Sequence, residues 1–534
     1  MILTDHDLKQ IDFQYLANLS FEKLLNISFK FFQDLIESRD RLNQTPLNSS
    51  RPPASFPPWQ AKSVAESPIV EESLPQGAAR SQTRNERATT MPVPTKENET
   101  GESVSAKENQ RAETTSPATA KQAEKKKPGK QVGAKGHGRE VELPITDVQY
   151  HRACECIACG ESLTEECLFE ARGGLYVLDV QIQELGLQVT HVKHLYGYTH
   201  CSCGHITLTE PGRCEPEEGW QVQLSEWHLV GPTLASLIIC LALRMRLSRR
   251  RIQELLSDWL SIKLSVGVIN QTITEGGRAC APIEEQLIEE IRQSELLHAD
   301  ETGWKENGRL VWLWVLVTST TTLFLIGSRS WDVIADALEG FAGWLMSDGY
   351  ISYRRYAKRL RCLAHLIRKA RGLSESLDSE AQLFGEITLD YISGFISEIY
   401  AARAGPETDL SEKLADELVD LKQWCEAHKD STHKKTKALA RELLYDWDAI
   451  WSVLEHPTLP VSNNRAEQAL RHWIIARKIS FGTRTKQGSR AFALLASVIE
   501  TCRQRGISPW PYLAQVIAQR RKGNPAPPLP AASC

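Results

Sequence analysis

The sequence predicts a multidomain α/β protein in which small N-terminal units precede a mixed-sheet core interrupted by an all-helical insertion. Three observations predict it. The 534 residues exceed one ordinary domain. Strand, turn and helix signals alternate over residues 296–348, and residues 375–455 read almost entirely as helix. A hydrophobic fraction of 41% suffices for real cores.

Residues 1–50 read as a helical arm, with Phe21, Leu24, Leu25, Phe29, Phe32, Leu35 and Ile36 at helical spacing. That face suits self-association or simple packing. Between Trp59 and Tyr150 no Phe, Trp or Tyr occurs, while Pro, Ser, Thr, Glu and Lys dominate. Such a stretch buries too little apolar surface to offset its ordering entropy, so residues 51–145 are expected to be a disordered linker. It ends in the basic run KKKPGKQVGAKGHGR (residues 125–139), suited to lying along phosphates or to remaining solvated.

The formal net charge of −4 is a poor guide to partners, because the charges are segregated along the chain. Thirteen cysteines, mostly scattered singly, fit a reducing cytosol better than a disulfide framework. The opening MILTDHDLKQ lacks a secretory pattern, and no run of about 20 apolar residues predicts a membrane span. The richest run, Val311 to Ile326, is broken by Thr318 to Thr322 and reads as two strands and a turn. A soluble cytoplasmic protein is expected.

Residues 146–215 are expected to form a zinc-ribbon-like unit. Cys156-Ile157-Ala158-Cys159-Gly160 is a two-cysteine knuckle, and Cys201-Ser202-Cys203-Gly204 follows after strand-like sequence. Four thiolates suit a tetrahedral structural Zn²⁺. The one-residue gap between Cys201 and Cys203 is short, which leaves Cys154, His200 and His205 as alternate ligands. Free thiols on a small β-unit are the bland reading.

Residues 216–295 read as a helical DNA-binding unit. A basic helix from Ser248 to Trp259, bearing Arg249, Arg250 and Arg251, is followed by a break and by Ser265 as N-cap of a second helix running through Gln271. The pair has helix-turn-helix form, as many cytosolic helix pairs do.

In the core, residues 296–522, Asp300 ends an apolar strand, Leu296 to Ala299. A turn at Asn307-Gly308, strands at Val311–Val317 and Thr322–Gly327, a helix WDVIADALEGF and a strand ending at Asp348 follow. That order begins a ribonuclease-H-like core, with the ends of its first and fourth strands adjacent, so Asp300 and Asp348 converge. Asp348 is the sole acid between Glu339 and Glu375, and Glu467 the sole acid between Glu455 and Glu500. A basic stretch suits phosphate, and a solitary acid within it suits a metal bridging to that phosphate. Singly, each acid is equally well a strand-end turn residue or, for Glu467, the i+4 partner of Arg471. Residues 523–534 are expected to be a disordered tail.

These blocks resemble the transposase of the bacterial insertion sequence (IS) 66 family, of the acidic-triad (DDE) superclass. The resemblance rests on HADETGW at 298–304, SDGY at 347–350, CLAH at 362–365, SNNRAEQALR at 462–471 and the closing SVIETCRQRGISPWPYL. It implies Asp300, Asp348 and Glu467 as catalytic acids holding Mg²⁺ or Mn²⁺, for cleavage at transposon ends and strand transfer into target DNA. It matches Cys362 and His365 to a Cys-x-x-His element, read here as structural. Asn463, Asn464 and Arg465, with Arg354, Arg355, Arg471 and Lys478 of the basic stretches, are expected to meet DNA phosphates. DNA, a homo-oligomer on DNA and small accessory proteins of the same element are the implied partners, in a bacterial cytoplasm and nucleoid-associated when DNA is bound. A ribonuclease-H-like nuclease without strand transfer and a domesticated zinc-containing DNA-binding protein are the alternatives.

Overall fold

The computed structural model describes residues 11, 13–42, 143–184, 186–215, 219–406 and 409–532. The expected linker over 51–145 lies outside them except for its last three residues. Helices α1 (Phe13–Ala17) and α2 (Phe21–Leu42) form the arm. Asp40 of α2 accepts from Ser376 Oγ at 2.7 Å, while Phe21, Leu25, Phe29, Phe32 and Leu35 stay exposed.

A four-stranded sheet follows: β1 (Asp147–His151), β2 (Phe169–Gln183), β3 (Gly186–His200) and β4 (Ile206–Leu208). The long hairpin β2–β3 dominates it, and β3 pairs parallel with β1 and antiparallel with β4. Helix α3 (Pro232–Leu243) starts at Gly231-Pro232, and the Asp179 carboxylate of β2 accepts from Leu234 N–H at 2.6 Å, capping it from a distance.

Helices α4 (Arg249–Leu260) and α5 (Val266–Ala279) are capped by Ser248, accepting from Arg251 N, and by Ser265, accepting from Val268 N. The second helix runs eight residues beyond Gln271. Gly276 and Gly277 allow this extension, since a Cβ on either would press on Ile239 or Ala491. Helix α6 (Ile283–Arg292) leads to the second sheet.

That sheet has the order β7-β6-β5-β8-β9. Its members are β5 (Leu296–Glu306), β6 (Arg309–Val317), β7 (Thr322–Gly327), β8 (Trp344–Ser347) and β9 (Arg359–Arg361), with α7 (Asp332–Leu338) crossing between β7 and β8. Strands β5, β6 and β7 are antiparallel, whereas β8 and β9 run parallel to β5. Asn307 and Gly308, at φ 49° and 80°, make the hairpin turn that two positive dihedrals require. Strand β5 does not stop at Asp300. It continues to Glu306, because β6 supplies a partner from His298 to Glu306, while its parallel partner β8 ends sooner.

Helices α8 (Leu363–Ser374), α9 (Ser379–Ala404), α10 (Leu410–Lys413), α11 (Ala415–His428), α12 (Lys434–Tyr445) and α13 (Trp447–Glu455) build the insertion. They enclose their own apolar cluster, including Leu366, Phe384, Ile392, Leu443 and Trp451. The chain then returns as α14 (Asn464–Ser480), α15 (Lys486–Gln504) and α16 (Pro509–Arg521).

The larger core is continuous from Leu178 of β2 through α3 to α6 and the second sheet to Leu529. Within it Trp473 of α14 meets Phe324 of β7 and Phe492 of α15, with ring centroids 5.7 and 5.2 Å apart. The expected disordered tail is instead held to the body over its described residues. Leu529 is buried, its N–H donates to Gln286 at 3.0 Å, and the carbonyls of Pro527 and Pro530 accept from Tyr512 and Arg505. Proline-rich composition conceals this, since the anchors are carbonyl groups that any residue possesses.

Candidate functional site

Strands β5 and β8 pair in the register Leu296↔Trp344, Leu297↔Leu345 and His298↔Met346. Carried two residues further, that register sets Asp300 beside Asp348, just past the end of β8. Asp348 Oδ1 accepts from Tyr350 N–H and Asp300 Oδ1 from Glu301 N–H, each at 2.8 Å, which fixes both side chains locally.

Glu467 lies in the first turn of α14, and a latch brings that turn to β5. Asn463 is fully buried; its Nδ2 donates to Ala299 O at 2.8 Å, and its Oδ1 lies 3.1 Å from His298 Nδ1. Its own N–H donates to Cys362 Sγ at 3.2 Å. The Asp300 carboxyl is held well above the usual range, first by burial, then by Asp348, Glu301 and Glu467 in that order. Acids crowded in a part-buried cluster repel one another, an arrangement that a bound cation would relieve.

Around Glu467 stand a cation and a neutral ring. Arg368 Nη2 is 3.4 Å and His365 Nε2 3.7 Å from its Oε1, so Arg471 is not its ion-pair partner. Burial, then Arg368, Arg361 and Lys369, lowers His365 to about 3, leaving it neutral at physiological pH. Burial raises the Cys362 thiol, so it too stays neutral.

The basic residues divide. Arg250, Arg251, Arg355, Asn464, Arg465, Arg471 and Lys478 are exposed, and Arg249 is half-buried. Asn463 was expected at phosphate but is spent on the latch and fully buried, out of reach of DNA. Arg354 was expected there too, but its Nε pairs with Asp446 at 3.1 Å. The reason extends along residues 353–371. Buried Asp446 also holds Arg359 at 2.5 Å and Arg361 at 3.2 Å, while Glu442 holds Lys369 at 2.6 Å and pairs with Arg361. Acids of the insertion therefore neutralise much of a stretch that looks uniformly basic in sequence.

Sequence reasoning missed Glu301, directly after Asp300. Its side chain accepts from Arg329 at 2.8 Å and from Tyr353 Oη at 2.7 Å, and burial followed by Asp348 pushes it up to about 7. Arg329 is stacked between Trp312 and Tyr350, 4.0 Å from each ring. The acid in HADET was the one available signal.

The two knuckles converge. Cys156, Cys159, Cys201 and Cys203 are the one group among the described residues whose candidate ligand atoms all lie within 4.8 Å of one another. Cys156 Sγ is 3.7 Å from Cys203 Sγ, and Cys159 Sγ 3.6 Å from Cys201 Sγ. Tetrahedral bonds of about 2.3 Å to zinc set sulfur atoms roughly 3.8 Å apart, so the donor set fits that ion. Gly160 and Gly204, at φ 73° and 87°, allow the turn behind each knuckle. The one-residue gap is thus accommodated without Cys154, His200 or His205. Hydrogen bonding from the Cys159 backbone lowers the Cys156 thiol, while its neighbours raise Cys159 and burial raises Cys201, as for thiols crowded together.

An acid cluster on a mixed sheet and a separate four-thiol cluster are thus the two candidate sites of the chain. The family profile described as "Transposase IS66 family" matches residues 228–491, a span that contains all three acids and the insertion. That match, over just under half of the chain, supports an IS66-family transposase. It is also similar to three proteins of Sinorhizobium fredii (strain NBRC 101917 / NGR234). Uncharacterized protein y4qI is 25% identical over 50% of this chain and 55% of its own length. Uncharacterized protein y4jD is 27% identical over 37% and 41%, and uncharacterized protein y4jO 38% identical over 12% and 21%. The chain thus spans about half the length of y4qI. No helix among the described residues is long and apolar enough to cross a membrane.

Proposed function

We propose that this chain is a DDE transposase that cleaves transposon ends and transfers them to target DNA, with Asp300, Asp348 and Glu467 as its catalytic acids. The observation that carries the reading is the joining of three distant segments. Adjacent parallel strands set Asp300 beside Asp348, and the Asn463 latch ties the first turn of α14, with Glu467, to the same strand. The sheet order, three antiparallel strands followed by two parallel ones, supports a ribonuclease-H-like core.

Divalent cations, Mg²⁺ or Mn²⁺, held by these three carboxylates would stabilise charge on the attacking and leaving oxygens of an in-line phosphoryl displacement. The chain's own residues do the rest. Arg368 orients the Glu467 carboxylate, and the Tyr350 N–H holds Asp348. Arg465, Arg471 and Lys478 offer cations to phosphate from α14. Cys156, Cys159, Cys201 and Cys203 would hold zinc as a structural ion, uniting the ends of the first sheet.

The test uses the purified chain and duplexes carrying the DNA ends that flank its reading frame. Nicked and joined products are expected only with Mg²⁺ or Mn²⁺. Asp300→Asn should lower their yield roughly a hundredfold or more while still binding DNA. Undiminished activity in Asp300→Asn sinks the assignment, and cleavage without joined products favours the nuclease.

A further inference from the structure

Helix α14, which carries Glu467, ends against its own backbone preference. It stops at Ser480, and Phe481 takes the left-handed conformation at φ 58°. Bulky L-residues rarely adopt it, because Cβ crowds the following carbonyl. Glycine or asparagine would sit there with less strain. Burial does not compensate, since Phe481 is 75% exposed.

The turn beneath the ring is rigid. Thr483 N–H donates to Lys305 O at 2.9 Å and Asn307 N–H to Thr483 O at 2.8 Å, so the turn is stitched to the β5–β6 hairpin. Trp304 Nε1 adds a bond to Thr483 Oγ1 at 3.2 Å. A strained, exposed aromatic on a fixed platform is a feature that folding alone does not require.

Its surroundings are cationic. No acid lies between Glu467 and Glu500 in sequence. Lys305, Arg309, Arg484 and Lys486 are exposed nearby, while Glu306, the one acid of the hairpin turn, accepts from Ser489 Oγ at 2.5 Å. Arg471 and Lys478 follow Glu467 by four and eleven residues. At about 100° per residue, all three fall within roughly 40° of one helix face. Cations therefore line the path from Glu467 to Phe481. A second copy seated on this patch would oppose cation to cation, whereas a phosphate backbone neutralises them.

Resting on the transposase reading, we propose that Phe481 is a wedge that stacks on a base of bound duplex DNA near the reacting end. Fourteen residues of helical rise separate Phe481 from Glu467, about 21 Å. That corresponds to roughly six base steps from the reacting phosphate. Insertion of an apolar side chain between base steps locally unstacks the duplex.

The test uses the full chain without divalent metal, so that no cleavage intervenes. The duplexes carry the DNA ends flanking its reading frame, with 2-aminopurine placed at successive positions. Wild-type protein should raise the fluorescence at a step near the sixth base pair. Phe481→Ala and Phe481→Asn should abolish that rise and weaken binding about tenfold, and Phe481→Trp should keep it. Asparagine accepts the left-handed backbone, so Phe481→Asn should melt no lower than wild type, which separates loss of stacking from loss of fold. Equal affinity and equal fluorescence for wild type and Phe481→Asn at every position overturn the wedge. So does a dimer-to-monomer change in Phe481→Asn with DNA binding intact, which assigns the patch to a second copy. Either result leaves the Asp300→Asn experiment standing. A wild-type chain that binds no duplex overturns both proposals.

Discussion

Between Tyr353 and Arg371 the fold answers cation with anion. Asp446 and Glu442, brought in by the insertion, take up Arg354, Arg359, Arg361 and Lys369. Between Arg465 and Arg490 Glu467 is the only acid, and Arg465, Arg471, Lys478, Arg484 and Lys486 remain exposed. The two stretches look alike in sequence. In the first, four of the cations are taken up by two acids when the chain folds, and those pairs bind parts of the protein together. The second keeps five of its cations at the surface, where a polyanion can reach them. Charge segregated along a sequence is therefore not charge segregated in space.

The sharpest way to break this contrast is Asp446→Ala. It strands buried Arg359, leaves buried Arg361 with Glu442 alone, and should destabilise the chain by roughly 3–5 kcal/mol, read from the denaturant midpoint. A loss under about 0.5 kcal/mol would mean that the first stretch does not depend on its acids.

A smaller effect comes from acid. Burial and then neighbouring groups hold His365, in the first stretch, down at about 3, and His472, in the second, at about 4; an ordinary histidine titrates near 6.5. Below 6.5 the unfolded chain takes up protons that the folded chain refuses. Stability is thus full above that pH and falls as pH drops toward 4, continuing toward 3 for His365. The limiting slope is up to about 1.4 kcal/mol per pH unit for each histidine. Urea titrations at stepped pH should show it, and His365→Gln should flatten the curve more than His472→Gln. Equal curves for all three proteins would refute the shifts.

The smallest change in stability belongs to the open stretch. Arg471→Ala combined with Lys478→Ala should move stability by no more than about 0.5 kcal/mol for each substitution. The same pair should lower the slope of log affinity against log salt by about 2. Arg359→Ala should leave that slope unchanged, and a reduced slope there would erase the distinction.

Much of the second sheet was legible because its signals are local. Asn307-Gly308 fixes a hairpin, the threonine run from 318 separates two apolar strands, and the strand order sets Asp300 beside Asp348. What escaped depends on partners remote in sequence. Arg361 meets Glu442 81 residues away, and Arg359 meets Asp446 87 residues away. Asn463 resembles a phosphate ligand because it is polar and precedes an arginine, but it is claimed by a backbone carbonyl 164 residues distant. Cys203 matched a ligand in type but stood at an unusual spacing, which the Gly204 turn resolves.

One buried contact has a bearing on biosynthesis. Arg521 of α16 pairs with Glu275 of α5 at 2.8 Å and donates to Val230 O at 2.6 Å, deep in the larger core. The partners are 246 residues apart, and Glu275 is made first. At translation rates of about 5–20 residues per second, Glu275 waits roughly 12–50 s for its counterion. Throughout that interval the apolar face of α3 also lacks α16, to which Ser236 Oγ later donates at the Trp510 carbonyl. The core that carries the candidate acids thus closes late, and its apolar faces stay open to aggregation until α16 emerges.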